Sequence, residues 1–247
     1  MGPKSSADSN RLLLVHGAFH GAWCWDRLLP ELSRRGVRAE TVELPLTSVT
    51  DDEAAISRAA QALLAVDESL VVAGHSYGGT PMTGAQYPRR GLERLVYIAS
   101  VMMEPTIGGA PPLEAASSLR ESERDRGVAV VHHAGRSRID PGRAGPTFYN
   151  QCTPADVEWA TTRLRDIPTS LFGMSPSRAA WREVPTTYVL CTDDRILPPA
   201  VQRQHAHRAD EVIEIDSDHS PFLSHPGTLA DVLTGVMRSP YTMGRVN

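Results

Sequence analysis

The sequence predicts an α/β fold: a mostly parallel sheet of about six strands with helices on both faces, interrupted by an inserted cap. Three observations carry this. Short unbroken apolar runs recur along the chain, the stretches between them place apolar residues at helical spacing, and the alternation stops near residue 100 and resumes near residue 184. Strands covered on both faces read as continuous apolar runs, and parallel neighbours need a helical crossover between them.

Residues 1–10 are polar and aperiodic and are expected to be a disordered arm outside the fold. Arg11-Leu-Leu-Leu-Val15 reads as the first strand, running into a turn at His16-Gly17-Ala18. Trp25, Leu28, Leu29 and Leu32 then recur at helical spacing. Residues 37–44 suit a strand. Residues 51–65 suit a helix with Ile56, Ala59, Ala60, Leu63 and Leu64 on its apolar face and acidic residues in the first turn, where they complement the helix dipole. Leu70-Val-Val-Ala73 is the next strand, followed by a helix at 78–87 and a strand at 92–99. Pro, Gly and Arg then become frequent, as in Gly108-Gly-Ala-Pro-Pro112 and Ile139-Asp-Pro-Gly-Arg-Ala-Gly-Pro146. A helix at 154–164, with Val157, Ala160 and Leu164 on one face, makes this stretch a folded cap rather than a linker. Alternation returns with a strand at 186–191, a helix at 199–207, a strand at 211–215 and a last helix at 221–237. The core is therefore expected at 11–99 and 184–247, and the cap, or lid, at 100–183.

Composition excludes several classes. With 247 residues, 41% hydrophobic and 22% charged, the chain can bury a core, so disorder is not the reading. A net charge of −4 without a basic stripe argues against nucleic acid. No apolar run approaches the roughly 18 residues of a membrane span, and the polar start lacks a secretory h-region, so a cytoplasmic location is expected. The three cysteines, Cys24, Cys152 and Cys191, are far apart and form no CxxC pair; they read as reduced and mostly buried, with no metal site. No cofactor is expected.

Gly74-His75-Ser76-Tyr77-Gly78 matches G-x-S-x-G between a buried strand and a helix. There a sharp turn lifts the serine hydroxyl clear of the sheet, beside a helix N-terminus that favours developing negative charge. The spacing of a phosphate-binding loop is absent. A serine hydroxyl needs a base to take its proton. Of nine histidines, His219 is preferred, because it lies between the last strand and the last helix and gives the chain order Ser, acid, His. His132, His133, His205 and His207 read as solvent-exposed, and His225 as a residue of the last helix. The acid should follow the strand at 186–191, where Asp193 and Asp194 both qualify; Glu104 is a weaker substitute, and Asp216 and Asp218 are expected to shape the His219 loop. Acyl transfer also requires amide donors for the carbonyl oxygen, and the N–H groups of Ala18 and Tyr77 are the candidates.

With these residues placed, the chain resembles the plant methyl esterase and hydroxynitrile lyase branch of the α/β hydrolases and its bacterial esterase relatives. The marks are the stretch from Leu14 to Trp25, Gly74-His-Ser-Tyr-Gly-Gly79, Phe148-Tyr-Asn-Gln-Cys-Thr-Pro-Ala-Asp156, Cys191-Thr-Asp-Asp-Arg-Ile-Leu-Pro198 and Asp218-His-Ser-Pro-Phe222. The resemblance implies the α/β-hydrolase fold and covers nearly everything after Asn10. It selects Asp194, because the acid of that branch stands four residues before the proline, here Pro198. The similar lyases carry threonine where Gly17 stands and lysine after the catalytic histidine, where this chain has Ser220, so the resemblance implies hydrolysis. It also implies a pocket between core and cap. Phe19, Trp23, Tyr77, Met82, Leu119, Phe148, Tyr149, Phe172, Met174, Leu197 and Phe222 are expected to line it, about half of them facing it. The expected activity is cleavage of a small carboxylic ester or lactone with an apolar or aromatic body through an acyl-enzyme on Ser76, His219 and Asp194. The alternatives are a lyase or carbon–carbon cleaving enzyme on the same triad, and a non-catalytic receptor for a small ligand. The expected partner is that small molecule, with no nucleic acid and no membrane; a homodimer is allowed.

Overall fold

A computed structural model describes residues 10–66, 69–106 and 130–239. Residues 1–9 of the expected arm, the run at 108–112 and Leu119 lie outside them, whereas Asn10, assigned to the arm, opens the first strand. In chain order the strands are β1 (Asn10–Val15), β2 (Arg38–Val42), β3 (Ser69–His75), β4 (Leu92–Ile98), β5 (Val130–His133), β6 (Arg136–Ile139), β7 (Ile167–Pro168), β8 (Thr186–Cys191) and β9 (Glu211–Ile215). Six form one all-parallel sheet in the order β2-β1-β3-β4-β8-β9. β3 is buried along its whole length, as its unbroken apolar sequence requires; β1 and β4 flank it and β8 lies beyond β4, all with buried Leu, Val or Tyr. The chain moves from β1 outward to β2 and then back across to β3, so the strand order reverses between β1 and β3. Loops leaving the carboxyl ends of such a pair diverge to opposite sides and leave a crevice, the usual ligand site of open α/β sheets.

The helices are α1 (Leu28–Arg34), α2 (Val49–Leu64), α3 (Gly79–Gly84), α4 (Pro141–Phe148), α5 (Pro154–Thr161), α6 (Pro199–Ala206), α7 (Pro221–Ser224) and α8 (Pro226–Arg238). Four of the differences from the expected bounds have a local reason. α2 starts before residue 51 because Ser48 caps it, its Oγ accepting from Asp51 N at 3.1 Å. α3 ends at Gly84 rather than 87, where the Glu53 carboxylate crowds the chain; a Cβ at Gly84 would stand 1.7 Å from Glu53 Oε1, and Tyr87 Oη donates to Met82 O near the helix end. α5 stops at Thr161, and the Thr162 hydroxyl and Arg163 guanidinium take the carbonyl of Trp159. The last helix is two: His225, at φ −134 and ψ 52, precedes Pro226, whose ring forbids helical continuation.

The segment joining β4 to β8 carries α4, α5 and an antiparallel sheet of β5, β6 and β7 that the sequence reading did not contain. These strands are two to four residues long and largely exposed, so they lack the apolar run that marks the central ones. The segment docks on the core through buried apolar residues such as Phe148, Ile167 and Leu171 and through polar contacts. Arg27 pairs with Asp156 at 2.9 Å, Ser177 N donates to Glu53 Oε1 at 2.7 Å, and Arg165 reaches the carbonyls of His20 and Leu44.

Glycine substitutions test this packing. A Cβ at Gly78 would lie 2.6 Å from His16 O and 3.0 Å from Val15 O, both backbone atoms of the strand end that β3 packs against. Gly78→Ala is expected to destabilise the fold by about 1–3 kcal/mol. Gly235 sits inside α8 with nothing within 4 Å of an added Cβ, so Gly235→Ala is expected to stabilise by about 0.5–1 kcal/mol. Thermal midpoints moving in opposite directions would verify both assignments.

Candidate active site

Ser76 follows β3 directly and has φ +51, a left-handed conformation that costs a non-glycine residue roughly 1–3 kcal/mol and persists only where neighbours impose it. The neighbours are specific. A Cβ at Gly74 would come within 3.1 Å of Gly78 O, so a larger residue there would crowd the turn. Ser100 Oγ donates to Ser76 O at 2.5 Å. Tyr77 donates its hydroxyl to Asp52 Oδ2 at 2.6 Å, while burial pushes the Asp52 carboxyl above the usual carboxylate range.

The hydroxyl so presented is 3.0 Å from His219 Nε2, and His219 Nδ1 is 2.7 Å from Asp194 Oδ2. A carboxylate only accepts, so Nδ1 carries the ring proton and Nε2 is free to accept from Ser76. Asp194 is buried and held in turn: Oδ1 accepts from Ile196 N and Leu197 N at 2.8 Å each, and Oδ2 from Gln202 Nε2 at 3.0 Å. Asp193, the other candidate, is partly exposed and accepts from the side chains of Asn150 at 2.7 Å and Gln151 at 3.1 Å. Glu104 pairs with Arg182 and stands outside the site. Asp218 shapes the His219 loop from a fully buried position, accepting from Ser220 N at 3.0 Å, Ser224 Oγ at 2.7 Å and Gln151 N at 2.9 Å.

Gly17 brings the loop after β1 against the serine turn: a Cβ there would stand 2.9 Å from His75 Nδ1 and 3.1 Å from Ser76 Cβ. Ala18 is therefore next to a residue that touches Ser76. Three histidines that the sequence reading treated only as motif letters surround this junction. His16 Nδ1 is 2.9 Å from Gly17 O, His20 Nδ1 is 2.8 Å from Ala18 O, and His75 Nε2 is 2.7 Å from His219 O. Burial lowers His16 to about 3, His20 to about 4 and His75 well below the ordinary value, so all three are neutral at neutral pH. His205, expected to be exposed, is also largely covered and is lowered to about 4, chiefly by burial.

The expected pocket residues divide. Phe19 lies 5.7 Å from Phe172 and 6.4 Å from Phe148 between ring centroids, and Phe148 is 5.7 Å from the His219 ring, giving an aromatic wall beside the base. Leu197 is buried with its N–H on Asp194. Trp23 stacks on His20 at 5.3 Å and meets Trp159 edge-on, and Tyr149 donates to His20, so both join the inserted segment to the core. Met174 packs against the core while partly exposed. Two assignments are corrected. Met82 is fully buried with its sulfur behind Gly74, on the α3 face that covers the sheet, and Phe222 is fully buried against His75 and Trp25, because α7 turns it inward. An open groove of about 660 Å³ lies between α4 and α5, but Ser76, His219 and Asp194 are not in its wall, so the site rests on the serine, histidine and aspartate geometry. Among the described residues no cluster of His, Cys, Asp and Glu fits a metal, and no helix is long and apolar enough to cross a membrane.

The buried imidazoles predict acid lability. Unfolded, each titrates near 6.5; folded, His16 titrates at about 3, His20 and His205 at about 4, and His75 well below its ordinary value. Between these limits the unfolded chain binds more protons, so stability is complete above about pH 6.5 and falls as pH drops toward 4. Melts should be flat near about pH 7–8 and decline below 6.5, with uptake of about three to four protons on unfolding at about pH 5. A midpoint insensitive to pH across that window would contradict the burial of neutral rings.

Comparison with known proteins agrees with this architecture. The profile described as Alpha/beta hydrolase family matches residues 12–232. Methylesterase 18 of Arabidopsis thaliana is 29% identical over 254 residues, covering 91% of this chain and 95% of that protein. Alpha/beta hydrolase nvfD of Aspergillus novofumigatus is 25% identical over 235 residues, covering 87% and 91%. The crystal structure of polyneuridine aldehyde esterase superposes with a TM-score of 0.76 at 22% identity, covering 92% of this chain and 99% of that one. The resemblance to plant methyl esterases read from the motifs is thus matched by relatives spanning nearly the whole chain. With the parallel sheet, the serine turn at the strand-order reversal and a family match over most of its length, the chain belongs to the alpha/beta hydrolase family.

Proposed function

We propose that the protein is a cofactor-independent carboxylic ester hydrolase for a small ester or lactone with an apolar or aromatic body. The observation that carries this reading is the unbroken chain from Ser76 Oγ through His219 to Asp194, at 3.0 and 2.7 Å. As Ser76 Oγ attacks the ester carbon, its proton passes to His219 Nε2, and the imidazolium formed is stabilised by Asp194. The N–H groups of Ala18 and Tyr77 receive the oxyanion. His219 then returns the proton to the departing alcohol oxygen. Water attacks the acyl-enzyme by the same route in reverse, giving the acid and restoring the Ser76 hydroxyl. The donors around Asp194 hold its carboxylate in one orientation, so the imidazole needs no reorganisation during turnover. Phe19, Phe148 and Phe172 favour an apolar or aromatic acyl or alkyl group. Similarity to the Arabidopsis methylesterase and to polyneuridine aldehyde esterase supports ester chemistry.

The lyase alternative is less well supported. A threonine at Gly17 would press on His75 and Ser76, and Ser220 is fully buried with no ammonium in its place. An assembled triad also weighs against a receptor without turnover. A homodimer in the cytoplasm belongs to the same proposal; Cys24, Cys152 and Cys191 are unpaired, which suits a reducing compartment.

Two neighbouring carboxylates give the sharpest mutational test, read as p-nitrophenyl butyrate hydrolysis. Ser76→Ala should abolish turnover and Asp194→Asn should lower kcat by about 10³–10⁴. Asp193→Asn should keep kcat within roughly tenfold, because Asp193 binds the inserted segment and not His219. Equal losses at Asp193 and Asp194, or turnover surviving Ser76→Ala, would contradict the assignment.

A further inference from the structure

The loop between β1 and α1 is gripped by two imidazoles whose tautomers are fixed by what they touch. Leu44 N donates to His16 Nε2 at 3.0 Å, so the proton of neutral His16 is on Nδ1, which donates to Gly17 O at 2.9 Å. Ala18 O, being a carbonyl, accepts from His20 Nδ1 at 2.8 Å, which leaves His20 Nε2 to accept the hydroxyl of Tyr149 at 2.8 Å. Two successive carbonyls are thus held from the protein side. In a trans peptide the C=O and N–H point in opposite directions, and the structure contains no cis bond among the described residues. Holding Gly17 O toward His16 therefore aims the Ala18 N–H the other way, out of the loop, beside the residue that touches Ser76 Cβ. Phe19, immediately after, has φ +64, the backbone strain expected where a chain is bent to fixed partners.

Tyr149 belongs to the inserted segment and is 1% exposed. Its neighbours fasten it: Asn150 and Gln151 side chains bond to Asp193 beside the acid, and Gln151 N bonds to Asp218 beside the base. Three consecutive residues therefore touch the oxyanion, acid and base loops together.

We propose that His16 and His20 are positioning residues of the oxyanion loop: His16, through Gly17 O, sets the peptide that carries the Ala18 N–H toward the reacting carbonyl, His20, through Ala18 O, locks the next peptide so that Ala18 cannot rotate out of that setting, and Tyr149 ties this hold to the inserted segment. This rests on the ester hydrolase reading given above, because it assigns that N–H to the oxyanion. The imidazoles do not touch substrate; they remove the freedom of a peptide that otherwise has to be ordered during the reaction.

Two measurements on the full chain test it. Long-range proton–nitrogen correlation spectra of the wild type at neutral pH should find the proton on Nδ1 in both His16 and His20, and Tyr149→Phe should move the His20 Nε2 resonance but not that of His16. A proton on Nε2 of either ring overturns the proposal, without reference to catalysis. In kinetics with p-nitrophenyl butyrate, His20→Phe should lower kcat by about 10- to 100-fold with KM within about threefold, and should weaken a trifluoromethyl ketone inhibitor, which forms an oxyanion on Ser76, by a similar factor. His20→Asn, which restores an N–H near the Nδ1 position, should recover most of both. Tyr149→Phe, which removes one oxygen and keeps the packing, should give a smaller loss of about 3- to 10-fold in the same direction. An unchanged kcat in folded His20→Phe, a loss confined to KM with ketone affinity intact, or no recovery in His20→Asn overturns the proposal. Ser76→Ala measured in parallel separates the two levels. Turnover surviving that change sinks the hydrolase reading and the proposal with it, whereas its loss alongside a fully active His20→Phe sinks the proposal alone.

Discussion

Ser76 is held at φ +51 at the end of the most buried strand of the sheet, and much of the molecule is arranged so that this unfavourable conformation persists. Gly74 and Gly78 let the chain fold back on itself, Ser100 holds the serine carbonyl, and the end of β1 closes against Gly78. None of these contacts touches the hydroxyl. Their joint effect is to leave it pointing into the crevice where strand order reverses, within reach of a histidine from a distant loop. The strain is local, of the order of 1–3 kcal/mol, and the packing that imposes it comes from the ends of β1, β3 and β4. That asymmetry explains why the turn tolerates so little change in residue size.

The polar contacts have a common design. Carboxylates and imidazoles around the site mostly bind backbone or inserted-segment groups and not one another. Asp194 collects amides from the residues following it, Asp218 does the same for the His219 loop, and the three buried histidines each hold a carbonyl. Burying a charge is costly unless several donors compensate it, and burying an imidazole in its neutral form avoids that charge-desolvation cost. The site thus carries its charge on buried carboxylates supplied with donors, and uses uncharged rings to set its backbone.

How much of this was legible in the sequence follows from which physical signals are local. The central strands were legible because burial on both faces leaves an unbroken apolar run. The serine turn was legible because its two glycines stand at fixed offsets. The position of His219 followed from chain order, but choosing between Asp193 and Asp194 required the resemblance, since both follow the same strand and differ only in the direction the turn gives them. The cap strands were not legible, being short and exposed. The histidine grips were hidden because their partners are carbonyls, which leave no trace in side-chain identity. Met82 and Phe222 were misassigned because an apolar residue beside a catalytic one in sequence packs equally well behind it or in front of it, and only the helix orientation decides.

The central claim is that Ser76 is an activated nucleophile and not merely a serine in a tight turn. Reaction of the full chain with a fluorophosphonate probe, followed by mass mapping of the adduct, tests this most directly. The account predicts a single adduct on Ser76 that forms rapidly in the wild type and is lost when His219 is changed to Ala. Labelling at another residue, or labelling of Ser76 at the same rate without His219, would contradict it.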